Sequence, residues 1–62
     1  MYTDMTVGEY LFFVVHAKGV KRSQWKQQVE EVMLRTGLQD MRHRLIRNLS
    51  KGYRQRVGDA AP

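Results

Sequence analysis

The chain has 62 residues, no cysteine and a formal net charge of +5. A domain of this size buries only about 60% of its unfolded surface, so the chain can hold one small core. The lack of cysteine excludes disulfides and thiolate metal sites as sources of stability. Residues 1–62 are therefore expected to form a single unit, stabilised by helix packing or by a partner that these residues lack.

The first helix is predicted over about residues 6–18. Thr6 and Glu9 form a Thr-x-x-Glu capping box, which satisfies free amides at a helix start. The apolar residues that follow have the period of one buried helix face, and they are Val7, Tyr10, Leu11, Val14 and Val15. The run is rich in β-branched and aromatic residues, so a buried strand is the alternative. The capping box and Gly19, which suits the left-handed position after a helix, favour the helix.

The second helix is predicted over about residues 22–36. Its apolar positions repeat at Trp25, Val29, Val32 and Met33. Gly37 ends it as Gly19 ends the first helix, with Leu38 and Val20 as the apolar residues after each glycine. Two helices joined by a short turn indicate an antiparallel pair, and Trp25 is assigned to its core.

A short turn is predicted over about residues 40–46, with Asp40 as its cap and with Leu45 and Ile46 folding back on the helix pair. A last helix is predicted over about residues 50–58, with Asn48 and Ser50 as its two candidate caps.

Gly58 and Pro62 are expected to end that helix and to leave residues 59–62 frayed. No stretch alternates as a strand would. The predicted fold class is therefore all-α, a small bundle of three to four short helices.

The segment from Asn48 to Gly58 reads Asn-Leu-Ser-Lys-Gly-Tyr-Arg-Gln-Arg-Val-Gly. It resembles the signature segment of ATP-binding-cassette (ABC) transporter ATPases, Leu-Ser-Gly-Gly-Gln followed by a basic residue, Gln, Arg and Val or Leu. The matching residues are Leu49, Ser50, Gly52, Gln55, Arg56 and Val57. Lys51 and Tyr53 replace a glycine and a glutamine, and both variants look like those of drug- or sodium-efflux transporters.

The chemistry of the residues agrees with this resemblance. A serine at a helix N-cap places its hydroxyl beside free amides, and a helix N-terminus attracts anions. Gly52 allows close approach of the backbone to a phosphate, and Lys51 adds a cation. A Ser-capped helix with a basic surface is the simpler reading, but the attached Gln-Arg-Val favours the motif. The resemblance implies that residues 49–53 (Leu49, Ser50, Lys51, Gly52 and Tyr53) touch the γ-phosphate of ATP held by an opposing subunit.

The resemblance extends upstream, because residues 2–11 look like the stretch after the glutamine loop, of the form Tyr-x-x-Met-Thr-Val-x-Glu-x-Leu. It covers roughly residues 2–58 and implies the helical subdomain, which in the family meets the membrane subunits. Phe12 and Phe13 are candidates for that contact, or for packing on a core that the chain lacks.

The hydrolytic parts of the family are absent from these residues. The chain has no Gly-x-x-x-x-Gly-Lys-Ser/Thr loop, no apolar strand ending in Asp-Glu and no switch histidine. The resemblance implies ATP with Mg in an intact parent, whose partners are a second ATP-binding cassette and the membrane subunits. The chain alone is expected to be a fragment that neither hydrolyses ATP nor binds it stably.

Two other functions fit the residues less well. Between residues 39 and 58 only Asp40 faces the cations Arg42, Arg44, Arg47, Lys51, Arg54 and Arg56, which indicates phosphate binding or a solvated basic face. A small basic nucleic-acid-binding protein is the main alternative, based on the net charge of +5 and on the helix-turn-helix-like spacing around Gly19. The second helix offers Gln24, Gln27 and Gln28 for base edges, but nucleic acid is not the favoured partner. The third reading is a regulator that mimics the subdomain.

Metal binding and membrane insertion are not predicted. His16 and His43 are far apart and have no second ligand at helical spacing. The apolar run at residues 10–15 is far shorter than the ~20 residues of a spanning helix, and acidic residues precede it where a signal peptide is positive. A cytoplasmic location is expected, with the parent on the inner face of the membrane.

Overall fold

The computed structural model describes residues 4–60, and this part of the chain is all-α, which confirms the predicted fold class. The helices are α1, Val7–Ala17; α2, Trp25–Thr36; and α3, Lys51–Ala60. Short 3-10 turns occupy Arg22–Gln24, Gln39–Met41 and Ile46–Asn48. Within residues 4–60 no helix is long and apolar enough to cross a membrane. The upstream part of the motif at residues 2 and 3 lies outside the described residues.

Helix α1 begins with the predicted capping box. The Thr6 amide donates to Glu9 Oε1 at 2.8 Å, and the Glu9 amide donates to Thr6 Oγ1 at 3.1 Å. These bonds lower the pKa of Glu9, because its carboxylate accepts from the Thr6 backbone. The helix, not the alternative strand, is therefore correct, and the predicted periodic face is buried except for half-buried Tyr10.

Both glycines adopt the left-handed conformation that the sequence predicts, with φ of 80° at Gly19 and 70° at Gly37. The next amide then reaches back along the helix in each case. Val20 N donates to Val15 O at 3.2 Å, and Leu38 N donates to Met33 O at 2.9 Å. These are Schellman ends, and they turn the chain after α1 and after α2.

Helices α1 and α2 pack antiparallel. The ring of His16, near the end of α1, lies 5.0 Å from the ring of Trp25 at the start of α2. At the other end, Gly8 of α1 lines a common groove with Met33 of α2. Residues from every helix and from the connecting segments complete one core: Val7, Leu11, Val15, Val29, Met33, Leu38, Ile46, Leu49, Val57 and Ala60.

Trp25 is only half-buried, although the sequence assigns it to the core. Its ring packs against the core from outside, and its Nε1–H donates to Val20 O at 2.7 Å. An indole carries a polar N–H that needs a partner when it is buried. The backbone of the α1–α2 turn supplies that partner, so the ring lies at the rim of the core.

The turn predicted over residues 40–46 is present, because Arg44 N donates to Met41 O at 3.0 Å, and Ile46 is buried in the core as expected. The 3-10 turns lie on either side of residues 42–45, and the Asp40 side chain caps neither of them. Residues 42–45 also pair with the start of α1. Val7 N donates to Arg44 O at 3.0 Å, and Gly8 N donates to Arg42 O at 2.9 Å. A side chain at Gly8 would crowd this contact, because its Cβ would lie 3.2 Å from Arg42 O.

Helix α3 runs two residues beyond Gly58, where the sequence predicts its end. Val57 is fully buried and Ala60 is 6% exposed. Burial of these two side chains outweighs the helix cost of glycine, which is about 1 kcal/mol. Asp59 and Ala60 are thus helical, contrary to the predicted fraying, while residues 61 and 62 lie outside the described part of the chain.

Candidate anion site at the start of the third helix

The chain before α3 is anchored by two buried side chains. Ile46 has no exposed surface and Leu49 is 6% exposed. Leu49 N donates to Ile46 O at 3.1 Å, and Leu49 itself has an extended backbone, with φ of −81° and ψ of 151°. Leu49 therefore fixes where helix α3 begins, and its side chain points into the core, away from any external ligand.

Ser50 is the N-cap of α3, as the sequence predicts. Its Oγ accepts from the Tyr53 amide at 3.3 Å, and its carbonyl oxygen accepts from the Arg54 amide at 2.9 Å. The amides of Lys51 and Gly52 precede this first intrahelical bond, so they have no partner within the helix. They add to the positive end of the helix dipole at an exposed position. The turn can therefore donate hydrogen bonds to an anion.

Gly52 has no structural reason to be glycine within the described chain. It is exposed, its φ is not positive, and a Cβ at this position would meet nothing within 4 Å. Glycine in a helix costs up to about 1 kcal/mol relative to alanine. The missing side chain leaves the amides of the first turn open to close approach by an external group. Gly58 has the same open surroundings in the same helix, which makes it a natural control position.

The structure divides the five predicted nucleotide-contact residues into two sets. Ser50, Lys51 and Gly52 are exposed together in the first turn. Leu49 belongs to the core, and Tyr53 is half-buried against it. The Arg56 guanidinium lies over the Tyr53 ring, 5.0 Å from its centroid, which is a cation–π geometry. Tyr53 therefore packs the first turn of α3 against the core.

The cations that the sequence groups together have different partners. Arg42 forms a two-bond ion pair with Glu30, and both N–O distances are 2.6 Å. Arg54 Nη2 donates to Arg47 O at 2.7 Å, and Arg47 is 3.4 Å from the Asp4 carboxylate. Within residues 4–60, Lys51 forms no ion pair. Lys51 is therefore the cation best placed to bind an anion at the start of α3.

A groove of about 630 Å³ lies between α1, α2 and the segment at residues 42 and 43. Phe12 forms one wall, and the buried residues Val29 and Met33 line it from α2. The Glu30–Arg42 pair contributes to its charged lining. The sequence does not predict this groove, since it depends on how residues far apart in the chain meet. The sequence offers one indication of the groove, which is the aromatic residue Phe12 beside the apolar face of α1.

Phe12 and Phe13 differ in their surroundings. They are 38% and 41% exposed, as a contact surface requires. Only Phe12 lines the groove. Successive residues of a helix point about 100° apart, so Phe13 is directed away from it. Phe12 is thus the better candidate of the two for a partner that enters the groove.

The histidines do not form a metal site in the described residues. Residues 4–60 contain no group of three His, Cys, Asp or Glu side chains that could hold an ion. His16 and His43 are both exposed. His16 makes an edge contact with Trp25, which gives it a packing role.

The Glu30–Arg42 pair joins α2 to the segment that leads to the candidate site. The hydrogen bond from Arg42 lowers the pKa of Glu30, against the opposing effect of burial, and the same bond raises the pKa of Arg42. A lowered folded-state pKa means that the pair contributes stability above the unfolded-state pKa. That contribution is lost as the pH falls through the folded-state pKa.

We therefore expect thermal stability to fall on acidification, and to fall less steeply in Glu30→Gln. Glu31→Gln is the matched control, because Glu31 is the neighbouring exposed carboxylate and is not paired with Arg42. Melting by circular dichroism from neutral to acid pH measures both profiles. The lowered pKa of Glu9 makes a similar contribution to the loss of stability in acid in the wild type and in both variants. Identical profiles for Glu30→Gln and the wild type would show that the pair does not stabilise the fold.

No protein-family model, curated protein or solved structure matches this chain. A function is therefore inferred from the residues of the motif and from the geometry of the helix start.

Proposed function

We propose that this chain is the helical subdomain of an ABC transporter ATP-binding subunit. In this proposal the turn at Ser50, Lys51 and Gly52 contacts the γ-phosphate of ATP held by a second cassette. The motif from Leu49 to Val57 supports the family. The observation that carries the phosphate contact is Gly52, an exposed glycine in the first turn of a Ser-capped helix with open space above it.

The donors present suit a phosphate oxygen. The amides of Lys51 and Gly52 precede the first intrahelical bond, and the Ser50 hydroxyl keeps its proton for donation while its oxygen accepts from Tyr53. The Lys51 ammonium supplies a mobile positive charge. Each of these groups binds and orients an anion. ATP and its Mg would be held by the opposing cassette, so no turnover is expected from this chain alone.

The groove supports the second partner in this proposal, a segment of the transporter's membrane subunits. Its wall at Phe12 and its buried lining at Val29 and Met33 can accept apolar side chains, and its charged lining can orient them. A helix laid in such a groove uses anchors spaced at three and four residues. Phe13 on the adjoining surface would meet the partner only outside the groove.

The phosphate contact is tested by two alanine substitutions in α3. Gly52→Ala places a methyl group where a phosphate oxygen would approach, whereas Gly58→Ala adds the same methyl elsewhere on the helix. Both should raise the melting temperature modestly, because alanine favours a helix by up to about 1 kcal/mol. Only Gly52→Ala should weaken anion binding, by about tenfold or more, which corresponds to ~1.4 kcal/mol.

The measurement is a titration of the ¹⁵N-labelled chain with MgATP, followed through its amide resonances. The wild type and Gly58→Ala should show shifts centred on Lys51 and Gly52, with weak affinity in about the millimolar range because half of the site is missing. Equal affinity of the two alanine variants would reject the contact. Shifts centred on the other end of the molecule, near Lys18 and Lys21, would also reject it.

A further inference from the structure

Arg54 connects helix α3 to the turn that precedes it. Its Nη2 donates to Arg47 O at 2.7 Å, and Arg47 lies in the 3-10 turn Ile46–Asn48. Its backbone amide donates to Ser50 O at 2.9 Å, which is the first intrahelical bond of α3. Arg54 therefore bonds to the chain on both sides of Leu49, where the backbone is extended.

The Arg54 side chain lies along the face of α3 that begins at Ser50. Residues four apart in a helix are neighbours on one face, and helical side chains lean toward the N-terminus. Arg47 precedes the Ser50 cap, so the side chain reaches Arg47 O only by extending along the first turn of α3. This first turn contains the exposed residues Lys51 and Gly52, whose amides the proposed function assigns to a phosphate.

The start of α3 is held on two sides. On the inner side, Ile46 and Leu49 are buried in the core. On the outer side, Arg54 is exposed, and its bond to Arg47 O joins the helix to the turn before it. Helix ends fray easily, and a hydrogen bond weakens steeply when its donor is misdirected. Two backbone amides that share one anion therefore depend on a fixed helix start.

We propose that Arg54 is a positioning residue for anion binding at this turn. Its bond to Arg47 O holds the start of α3 so that the amides of Lys51 and Gly52 face the phosphate together. This inference rests on the proposed function, because it concerns the same turn. Arg54 acts through the backbone, since its guanidinium is held at a carbonyl oxygen. Lys51 forms no ion pair within residues 4–60 and supplies the mobile charge.

The test compares Arg54→Met with the wild type in ¹⁵N-labelled whole chains. Without an anion, the substitution should move the amide resonance of Asn48, which shares a peptide group with Arg47 O, and those of Lys51 and Gly52. With MgATP, it should weaken binding about fivefold, the effect of losing one typical hydrogen bond. Methionine is unbranched and favours a helix about as well as arginine, so the melting temperature should change little.

Two further variants separate position from charge. Arg54→Lys keeps the charge and a donor for Arg47 O, so it should recover most of the affinity for MgATP. Arg44→Met removes the same charge from the segment before the turn. The Arg44 side chain is exposed and forms no ion pair within residues 4–60, so this variant should bind MgATP like the wild type.

The outcomes distinguish this inference from the proposed function. A wild type without MgATP shifts would reject the proposed function, and the role of Arg54 with it. Wild-type binding that Arg54→Met leaves unchanged would overturn the role of Arg54 alone. Weaker binding by Arg54→Met with unchanged anion-free resonances would mean that charge acts and not position. An equal loss of affinity in Arg44→Met would mean the same, and either result would overturn the positioning role.

Discussion

Replacing Leu38 by alanine is expected to leave most of the protein unfolded at room temperature. Leu38 has no exposed surface, and its amide closes the Schellman end of α2 by donating to Met33 O at 2.9 Å. Truncating a buried leucine costs about 2–5 kcal/mol, from lost burial and from the cavity left behind. A core of this size rarely supplies more than about 3–5 kcal/mol in total. The loss is therefore comparable with the whole stability of the domain.

The control is Leu34→Ala, four residues earlier in the chain and within α2. Leu34 is 66% exposed, so the same chemical change removes little buried surface and should alter stability by no more than about 0.5 kcal/mol. Urea titration followed by circular dichroism measures both variants. Similar midpoints for Leu38→Ala and Leu34→Ala would mean that the Leu38 side chain is not buried in the core as described.

The features that the sequence predicts well are those set by neighbours in the chain. The capping box needs only Thr6 and Glu9, three residues apart, and both of its hydrogen bonds are present. The ends of α1 and α2 follow from a glycine and the apolar residue after it, because only the backbone between them is involved. The Ser50 cap is of the same kind.

The features that the sequence does not predict depend on distant residues. Residues 42–45 pair with the start of α1, about 35 residues earlier, so no local pattern in that segment reveals the pairing. Helix α3 continues past Gly58 because Ala60 meets a core that other elements build. In the candidate site, the exposure of Ser50 and Gly52 follows from the helix start. The burial of Tyr53 against the core depends on how α3 packs, whereas its contact with Arg56, three residues later on the same helix, is local.

Trp25→Ala is expected to cost roughly 2–4 kcal/mol, somewhat less than a fully buried aromatic residue, because Trp25 is half-buried. The change removes the ring that packs on the core and leaves Val20 O without its donor at 2.7 Å. It also removes the contacts of His16 and Arg22 with the ring. We expect the α1–α2 turn to lose its order before the rest of the protein unfolds.

Trp25→Phe separates packing from the hydrogen bond. A phenyl ring retains most of the apolar contact but cannot donate to Val20 O, so it should cost only about 1 kcal/mol. Urea unfolding should therefore rank the wild type above Trp25→Phe, and Trp25→Phe well above Trp25→Ala. Hydrogen exchange at residues 18–24 should rise most in the alanine variant. A phenylalanine variant could instead be as unstable as the alanine variant. That result would show that the indole hydrogen bond, and not ring packing, holds α1 and α2 together at the turn between them.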